Sequence, residues 1–414
     1  MKFSVLLPTK DRLEYLKFTI ESVLKQDYDD WELVISDNAS RENIGEYITS
    51  LNEPRIKYSR SKEALTITES WNRSLELSSG EYVIMLGDDD ILLKNYFQLA
   101  EKLLNRFHQP DLIYTNAFLY AYPNTLPGRP QGVFVSFGST DAMPKHEEPY
   151  LLAQSTKLAL VQQMMNFHAT FGSNMQHGLI HRPLIEKIKK QGNGKFFHSP
   201  YPDIYAMCAL FMESTRTIVY PKEMVVIGIT PKSHGYYLFN SREKEALTFL
   251  KAHEELAAIP SIESILIPAS TSMLSFWLGA IELLKINFPL EQYKLKLDYN
   301  LYRKMQTTRI ISNFLNDQAM YGFEFKELMR RLTLVEKATF VLPRMIPHFI
   351  RSLIPKTIKK KIKTVLKYFK PVQQPEAPST LANPFIKPPE NSNEHHFSNA
   401  SEIFEKIEAD DCIK

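Results

Sequence analysis

Three adjacent carboxylates, Asp88-Asp89-Asp90, follow the continuous apolar run 82–86 across a single residue, Gly87. Carboxylates so close together repel one another unless a cation neutralises them. Oxygen donors suit hard divalent ions such as Mg²⁺ or Mn²⁺, which are often held by one or two carboxylates plus the phosphates of a substrate. The structural alternative is a solvated acidic turn or a helix N-cap, because Asp is favourable near a helix start. Placement favours the site. Two other polar clusters, Thr9-Lys10-Asp11-Arg12 and Ser36-Asp37-Asn38, also follow short apolar runs.

The elements that position these clusters alternate. Residues 3–7 form a short apolar run ended by Pro8, which predicts a buried strand. Leu13, Leu16, Ile20, Val23 and Leu24 then recur at helical spacing, with Asp11 as the predicted cap. Strands are predicted at 31–35, 56–58, 82–86 and 112–115, and helices at 42–51, 67–77 and 96–107. This order predicts an α/β fold, a mostly parallel sheet with helices on both faces. Ligands bind such sheets beyond the carboxyl ends of the strands, where all three polar clusters fall. Residues 117–235 are less regular, with a Pro/Gly-rich loop at 123–132, helices at 150–165 and 184–190, and a strand at 178–181. Residues 236–340 read as a helical region. Residues 371–414 contain six prolines and read as a disordered acidic tail with one short terminal helix.

At 414 residues, the chain has room for two to three folding units of ~150 residues. Lys plus Arg is 50 against 47 Asp plus Glu, a net +3, which excludes a uniformly basic nucleic-acid binder. That sum conceals an uneven spread. Residues 341–375 carry nine Lys or Arg and no acid, residues 376–414 carry eight acids and three bases, and residues 1–340 net −1. Within 341–370, apolar residues recur at helical spacing on both sides of Pro355, a pattern that suits an anionic membrane surface. A basic helix packed on the rest of the chain, or an RNA contact, are the alternatives. The two cysteines, Cys208 and Cys412, lack metal-site spacing and suit a reducing compartment. The N-terminal apolar run is too short for a signal peptide. The most apolar later stretch, 273–284, falls short of the ~18–20 residues a membrane span needs. A cytoplasmic protein, with peripheral attachment to the inner face of the plasma membrane, is expected.

Pro8-Thr9-Lys10-Asp11-Arg12, Ser36-Asp37-Asn38, Trp71-Asn72 followed by Ser79-Gly80-Glu81-Tyr82, and Leu86-Gly87-Asp88-Asp89-Asp90 resemble, in order and spacing, the motifs of family 2 glycosyltransferases with the GT-A fold. The resemblance is close over 1–116 and loose over 117–235. It implies a GT-A domain over 1–235, with a nucleotide-binding half at 1–116 and an acceptor half at 117–235. It also implies an enzyme that moves a sugar from a nucleotide-sugar, a UDP-sugar foremost, to a saccharide or lipid-linked saccharide. Pro8, Thr9, Asp11 and Arg12 would line the ribose and base, Asp37 with Asn38 the base, and Asn72 the nucleotide below the acidic motif. The metal motif has two registers: literal matching gives Asp88 and Asp90, while anchoring on Leu86 gives Asp89. Asp89 is favoured as the main ligand of Mn²⁺ or Mg²⁺, with Asp90 beside it and Asp88 on the ribose. His234 would reach the metal or diphosphate, or be structural. Asp203 matches the family's acidic position at a helix start, with Pro202 where a first acid usually stands. It reads as the general base or as a plain helix cap, with Glu147, Glu148 and Glu213 behind it. No tryptophan follows an arginine, so the motif of processive members is missing and single additions are expected. A sugar-phosphate nucleotidylyltransferase would need a Gly-rich loop near the N-terminus, and no glycine precedes Gly45. A catalytically inactive GT-A scaffold at a membrane is the non-enzyme alternative.

Overall fold

The computed structural model describes residues 1–138, 140–240, 259, 262, 273–346 and 395–397. Strands β1 (Phe3–Thr9), β2 (Trp31–Asp37), β3 (Ile56–Arg60) and β4 (Tyr82–Met85) run parallel in the order β3-β2-β1-β4. Helices α1 (Leu13–Leu24), α2 (Ile44–Ser50) and α3 (Ile67–Glu76) connect them. Val5 and Leu7 of β1 enter one buried cluster with Leu16, Ile20 and Phe97, while Leu6 enters the other, with Val34 and Val83. This is the two-residue period of a strand whose both faces are covered, and it explains why β1 reads as one continuous apolar run. Each such side chain, fully buried, contributes roughly 1.5–3 kcal/mol.

Beyond β4 the sheet becomes mixed. Strand β6 (Leu112–Ala121) follows α4 (Tyr96–Arg106) and is longer than the expected 112–115. Strand β9 (Gly178–His181) inserts between β4 and β6, antiparallel to both. The longest strand, β10 (Thr217–Ile229), lies parallel to β6 and is absent from the expected elements. Pro221-Lys222-Glu223 breaks its apolar run, and there the ladder shifts register as a bulge. The short strands β5 (Ile91–Leu92) and β8 (Tyr150–Leu151) edge β10, and β7 (Gly132–Ser136) flanks β6.

Helices α5 (Gln154–Met165), α6 (Arg182–Gln191) and α7 (Pro202–Glu213) build the second layer. A short helix, α8 (His234–Phe239), follows β10. Of the expected helical region, 241–258 and nearly all of 260–272 lie outside the described residues. Its described part packs on α7 rather than standing apart. Helix α9 (Met273–Asn287) sends Trp277 Nε1 to the Met164 carbonyl (3.0 Å) and Asn287 to the Tyr205 hydroxyl (2.8 Å). Helices α10 (Tyr299–Asn316) and α11 (Gln318–Arg331) follow, and α12 (Leu334–Glu336) continues through a π-helical turn, Lys337–Val341. The basic segment beyond 346 lies outside the described residues, as does the acidic tail except His395–Phe397, which forms β11, a strand antiparallel to β7.

Candidate active site

The parallel strands end side by side. Past β1 the chain turns through Asp11, whose φ of 52° is left-handed. Asp11 does not cap α1 as expected: its carboxylate accepts the Arg41 backbone N–H (2.6 Å) and pairs with the Arg41 guanidinium (3.2 Å), and Arg12 occupies the cap position. Past β2, Asp37 is buried, with Oδ1 accepting from Ser40 N–H (2.9 Å) and Oδ2 from the Tyr58 hydroxyl (2.7 Å). Asn38 closes a ring with the backbone of Leu65 through both amide atoms. Pro8 lies at this end of β1, and Thr9 donates to Asp88 Oδ2 (2.7 Å).

The triplet itself is buried, each residue in a different setting. Asp90 has both oxygens engaged: Oδ2 accepts from Gly87 N–H and from the Gln176 amide (2.5 Å each), and Oδ1 accepts from Gly228 N–H (2.8 Å). Asp88 and Asp89 share one cation. Arg12 Nη1 donates to Asp88 Oδ1 (2.6 Å) and Nη2 to Asp89 Oδ2 (2.8 Å). The same Asp89 oxygen accepts from the hydroxyls of Ser233 (2.5 Å) and Thr230 (3.3 Å). Burial pushes the carboxyls of Asp88 and Asp90 well above the ordinary range; Arg12 works against it at Asp88, and the Asp89 charge adds to it at both.

The segment after β10 therefore completes the site. Thr230 and Ser233 reach Asp89, and the next residue, His234, faces Tyr201 with ring centroids 6.0 Å apart. Burial holds the His234 imidazole down at about 4, so it is neutral at physiological pH. Tyr201 occupies the N-cap position of α7, and Asp203 lies in the first turn of that helix. Asp203 accepts its neighbour's N–H (Ile204, 2.8 Å), and burial lifts its carboxyl to about 6. Asn72 is used differently: its Oδ1 accepts from Phe196 and Phe197 N–H (3.3 and 3.1 Å) and its Nδ2 donates to the Phe197 carbonyl (2.9 Å), fastening the loop before α7 to α3.

Among the described residues no three Asp, Glu, His or Cys side chains gather at metal-ligand spacing. The donor chemistry still fits a hard divalent ion held by one or two carboxylates and completed by substrate phosphates. Asp89 Oδ1 accepts no hydrogen bond from any described residue, whereas both oxygens of Asp90 are committed to N–H donors. No motif or spacing in the sequence marks Thr230, Ser233, Gly228 or Gln176 as partners of the acidic triplet. Hydroxyls carry no motif, but a lone glycine inside an apolar strand signals close backbone approach. A Cβ on Gly228 would lie 1.8 Å from the Asp89 carbonyl oxygen.

A family model described as Glycosyl transferase family 2 matches residues 4–171, from β1 through α5 and so across the acidic turn. Residues 4–171 are a family 2 glycosyl transferase domain. Three curated relatives match shorter stretches of the chain. The Escherichia coli K12 protein WcaA, assigned by name to colanic acid biosynthesis, is 37% identical over 120 residues, 28% of this chain and 41% of its own. The E. coli UDP-Glc:alpha-D-GlcNAc-diphosphoundecaprenol beta-1,3-glucosyltransferase WfgD is 29% identical over 101 residues, 24% of this chain and 40% of its own. A Campylobacter jejuni GalNAc(5)-diNAcBac-PP-undecaprenol beta-1,3-glucosyltransferase is 35% identical over 95 residues, 22% of this chain and 31% of its own. The matches thus span about two fifths or less of these curated relatives. Among solved structures, Staphylococcus aureus TarS 1–349 is similar with a TM-score of 0.44 and 15% identity, covering 79% of this chain and 89% of that one.

Proposed function

We propose that the chain transfers a sugar, with inversion and one residue at a time, from a nucleotide-sugar to a hydroxyl of a saccharide or lipid-linked saccharide. A UDP-sugar is the leading donor and surface glycan synthesis the setting. The observation that carries the reading is Asp89. It is a buried carboxylate beyond the carboxyl ends of β1 and β4, with one oxygen held by Arg12, Thr230 and Ser233 and the other accepting no hydrogen bond from a described residue. The glucosyltransferase WfgD acts, by its name, on a diphosphoundecaprenol-linked acceptor with UDP-Glc, which supports a donor and acceptor of this kind.

In this reading Asp203 accepts the proton of the acceptor hydroxyl as its oxygen attacks the anomeric carbon and the bond to the diphosphate breaks. A carboxyl lifted to about 6 is ionised at neutral pH, yet more basic than an ordinary Asp. Asp89, with Asp88 beside it, would hold a divalent ion, which when bound offsets charge on the leaving diphosphate. Arg12, paired with Asp88 and Asp89, and Lys232, which donates to the Asp11 carbonyl (3.1 Å), are cations that could meet that charge. Asp37 and Asn38 keep the turn after β2 rigid where the base would lie.

Attachment to an anionic membrane from the cytoplasmic side is the second part of the proposal. Among the described residues no helix is long and apolar enough to cross a membrane. On α12 and its continuation Leu334, Val335, Leu342 and Ile346 are exposed while Val341 is buried against the core, and the nine bases of 341–375 begin there. Deleting 341–414 should move the protein from the membrane to the soluble fraction, and an unchanged distribution overturns this part. Thermal unfolding against a panel of nucleotide-sugars, with and without Mn²⁺, tests the rest: a ligand at 100 times its Kd adds about 2.7 kcal/mol. Stabilisation by one nucleotide class that needs the divalent ion supports transfer. No stabilisation by any of them overturns it and leaves an inactive scaffold.

A further inference from the structure

Arg12 stands where the acidic turn requires a cation, yet its own hydrogen bonds are badly distributed. Nη2 faces three acceptors: Asp89 Oδ2 (2.8 Å), Ser233 Oγ (2.9 Å) and Thr230 Oγ1. A guanidinium nitrogen of that kind carries only two N–H bonds, so the three contacts compete. Nε, with one N–H, is buried and has no hydrogen-bond partner. A guanidinium serving only as a permanent structural clamp would be expected to use its planar fork on one carboxylate. Here it is split between Asp88 and Asp89, with one donor wasted.

We propose that Arg12 is an exchangeable internal cation: it holds Asp88 and Asp89 together while the site is empty, and gives up Asp89 to a divalent ion only when a nucleoside diphosphate is present to receive the guanidinium. This rests on the transfer reading of the same site. The exchange is chemically economical because the planar fork that fits a carboxylate also fits a phosphate. It keeps charge matched at each stage, so the buried carboxylates are never left uncompensated. Its consequence is linkage. The divalent ion alone must displace Arg12 and binds weakly, the diphosphate alone lacks the ion, and each tightens the other by the same factor.

The test uses the full chain, with Mn²⁺ and UDP as probes and free Mn²⁺ read by its electron paramagnetic resonance signal. In the wild type Mn²⁺ alone should bind weakly, and saturating UDP should tighten it at least tenfold beyond what Mn²⁺–UDP association in solution supplies. In Arg12→Gln, Mn²⁺ alone should bind at least tenfold tighter than in the wild type, and the extra effect of UDP should disappear. Arg12→Lys covers the case in which the Gln variant does not fold: an ammonium is a single point charge without the planar fork whose two nitrogens reach Asp88 and Asp89, so it holds the pair less well and Mn²⁺ alone should again bind tighter. A folded Arg12 variant whose Mn²⁺ affinity without UDP equals or falls below that of the wild type overturns the exchange and leaves the transfer reading standing. A wild type that takes no UDP with Mn²⁺ overturns both.

Discussion

The turn 87–90 brings three carboxylates and one N–H donor of its own, Gly87, while the segment 228–234 brings a backbone N–H, two hydroxyls and no carboxylate. Neither is a site alone. Buried carboxylates without donors are costly, and the hydroxyls and amide have nothing to hold until the turn arrives. The two segments lie some 140 residues apart in the chain and meet because β10 runs alongside β6 and past the turn. The chemistry of a site can therefore be contributed by one segment and its geometry by another.

Removing the chemistry should cost most. Asp89→Asn keeps the shape and removes the charge, so transfer should fall by ~10³-fold, a loss of several kcal/mol of charge stabilisation. The thermal shift with donor and Mn²⁺ should vanish as well. A variant retaining a tenth of the wild-type rate would show that the turn does not carry the chemistry. Asp203→Asn should cost about 10²–10⁴-fold if Asp203 is the base. A base works deprotonated, so with its carboxyl lifted to about 6 the wild-type kcat/KM should fall tenfold per pH unit below that value. Asp203→Asn should lose this acid limb. A pH profile identical to that of the wild type would make Asp203 a helix-terminal residue and nothing more.

Removing the geometry should show first in stability. In Gly228→Ala the added Cβ meets the Asp89 carbonyl oxygen at 1.8 Å, so β10 must withdraw from the turn. Overpacking of this kind costs about 1–3 kcal/mol or more. Donor binding should weaken even though no carboxylate is touched, and calorimetric unfolding with UDP titration reads both. The smallest effect is expected at Asn72→Ala, which unpairs the N–H groups of Phe196 and Phe197 at about 1–3 kcal/mol. If Asn72 only fastens the loop before α7, the melting temperature falls while nucleotide affinity stays. Lost affinity at unchanged stability would return Asn72 to the nucleotide.

The legible part of the site is the part built from neighbours in the chain. Asp88-Asp89-Asp90 after an apolar run, and Asp37-Asn38 after another, mark strand ends by local pattern alone. Arg12 was legible as a site residue but not as the cation of the triplet, because side-chain pairing across 76 residues leaves no trace in spacing. Asp11 reads locally as a helix cap, yet its left-handed backbone turns the carboxylate to Arg41 instead. Strand β10 has no continuous pattern in the sequence because Pro221 and its polar neighbours interrupt the apolar run at a bulge. Gly228 carried a readable signal inside that strand.

By itself the sequence determined the alternating α/β order, the parallel strands around 3–7, 31–35, 56–58 and 82–86, and the carboxylates that follow them. Those features follow from hydrophobic period and turn chemistry, which act over a few residues. Only the tertiary structure decided which carboxylate is committed and which keeps an oxygen available. That choice depends on donors from β10, the loop beyond it and Gln176, whose positions are set by long-range strand pairing and close packing rather than by any local preference.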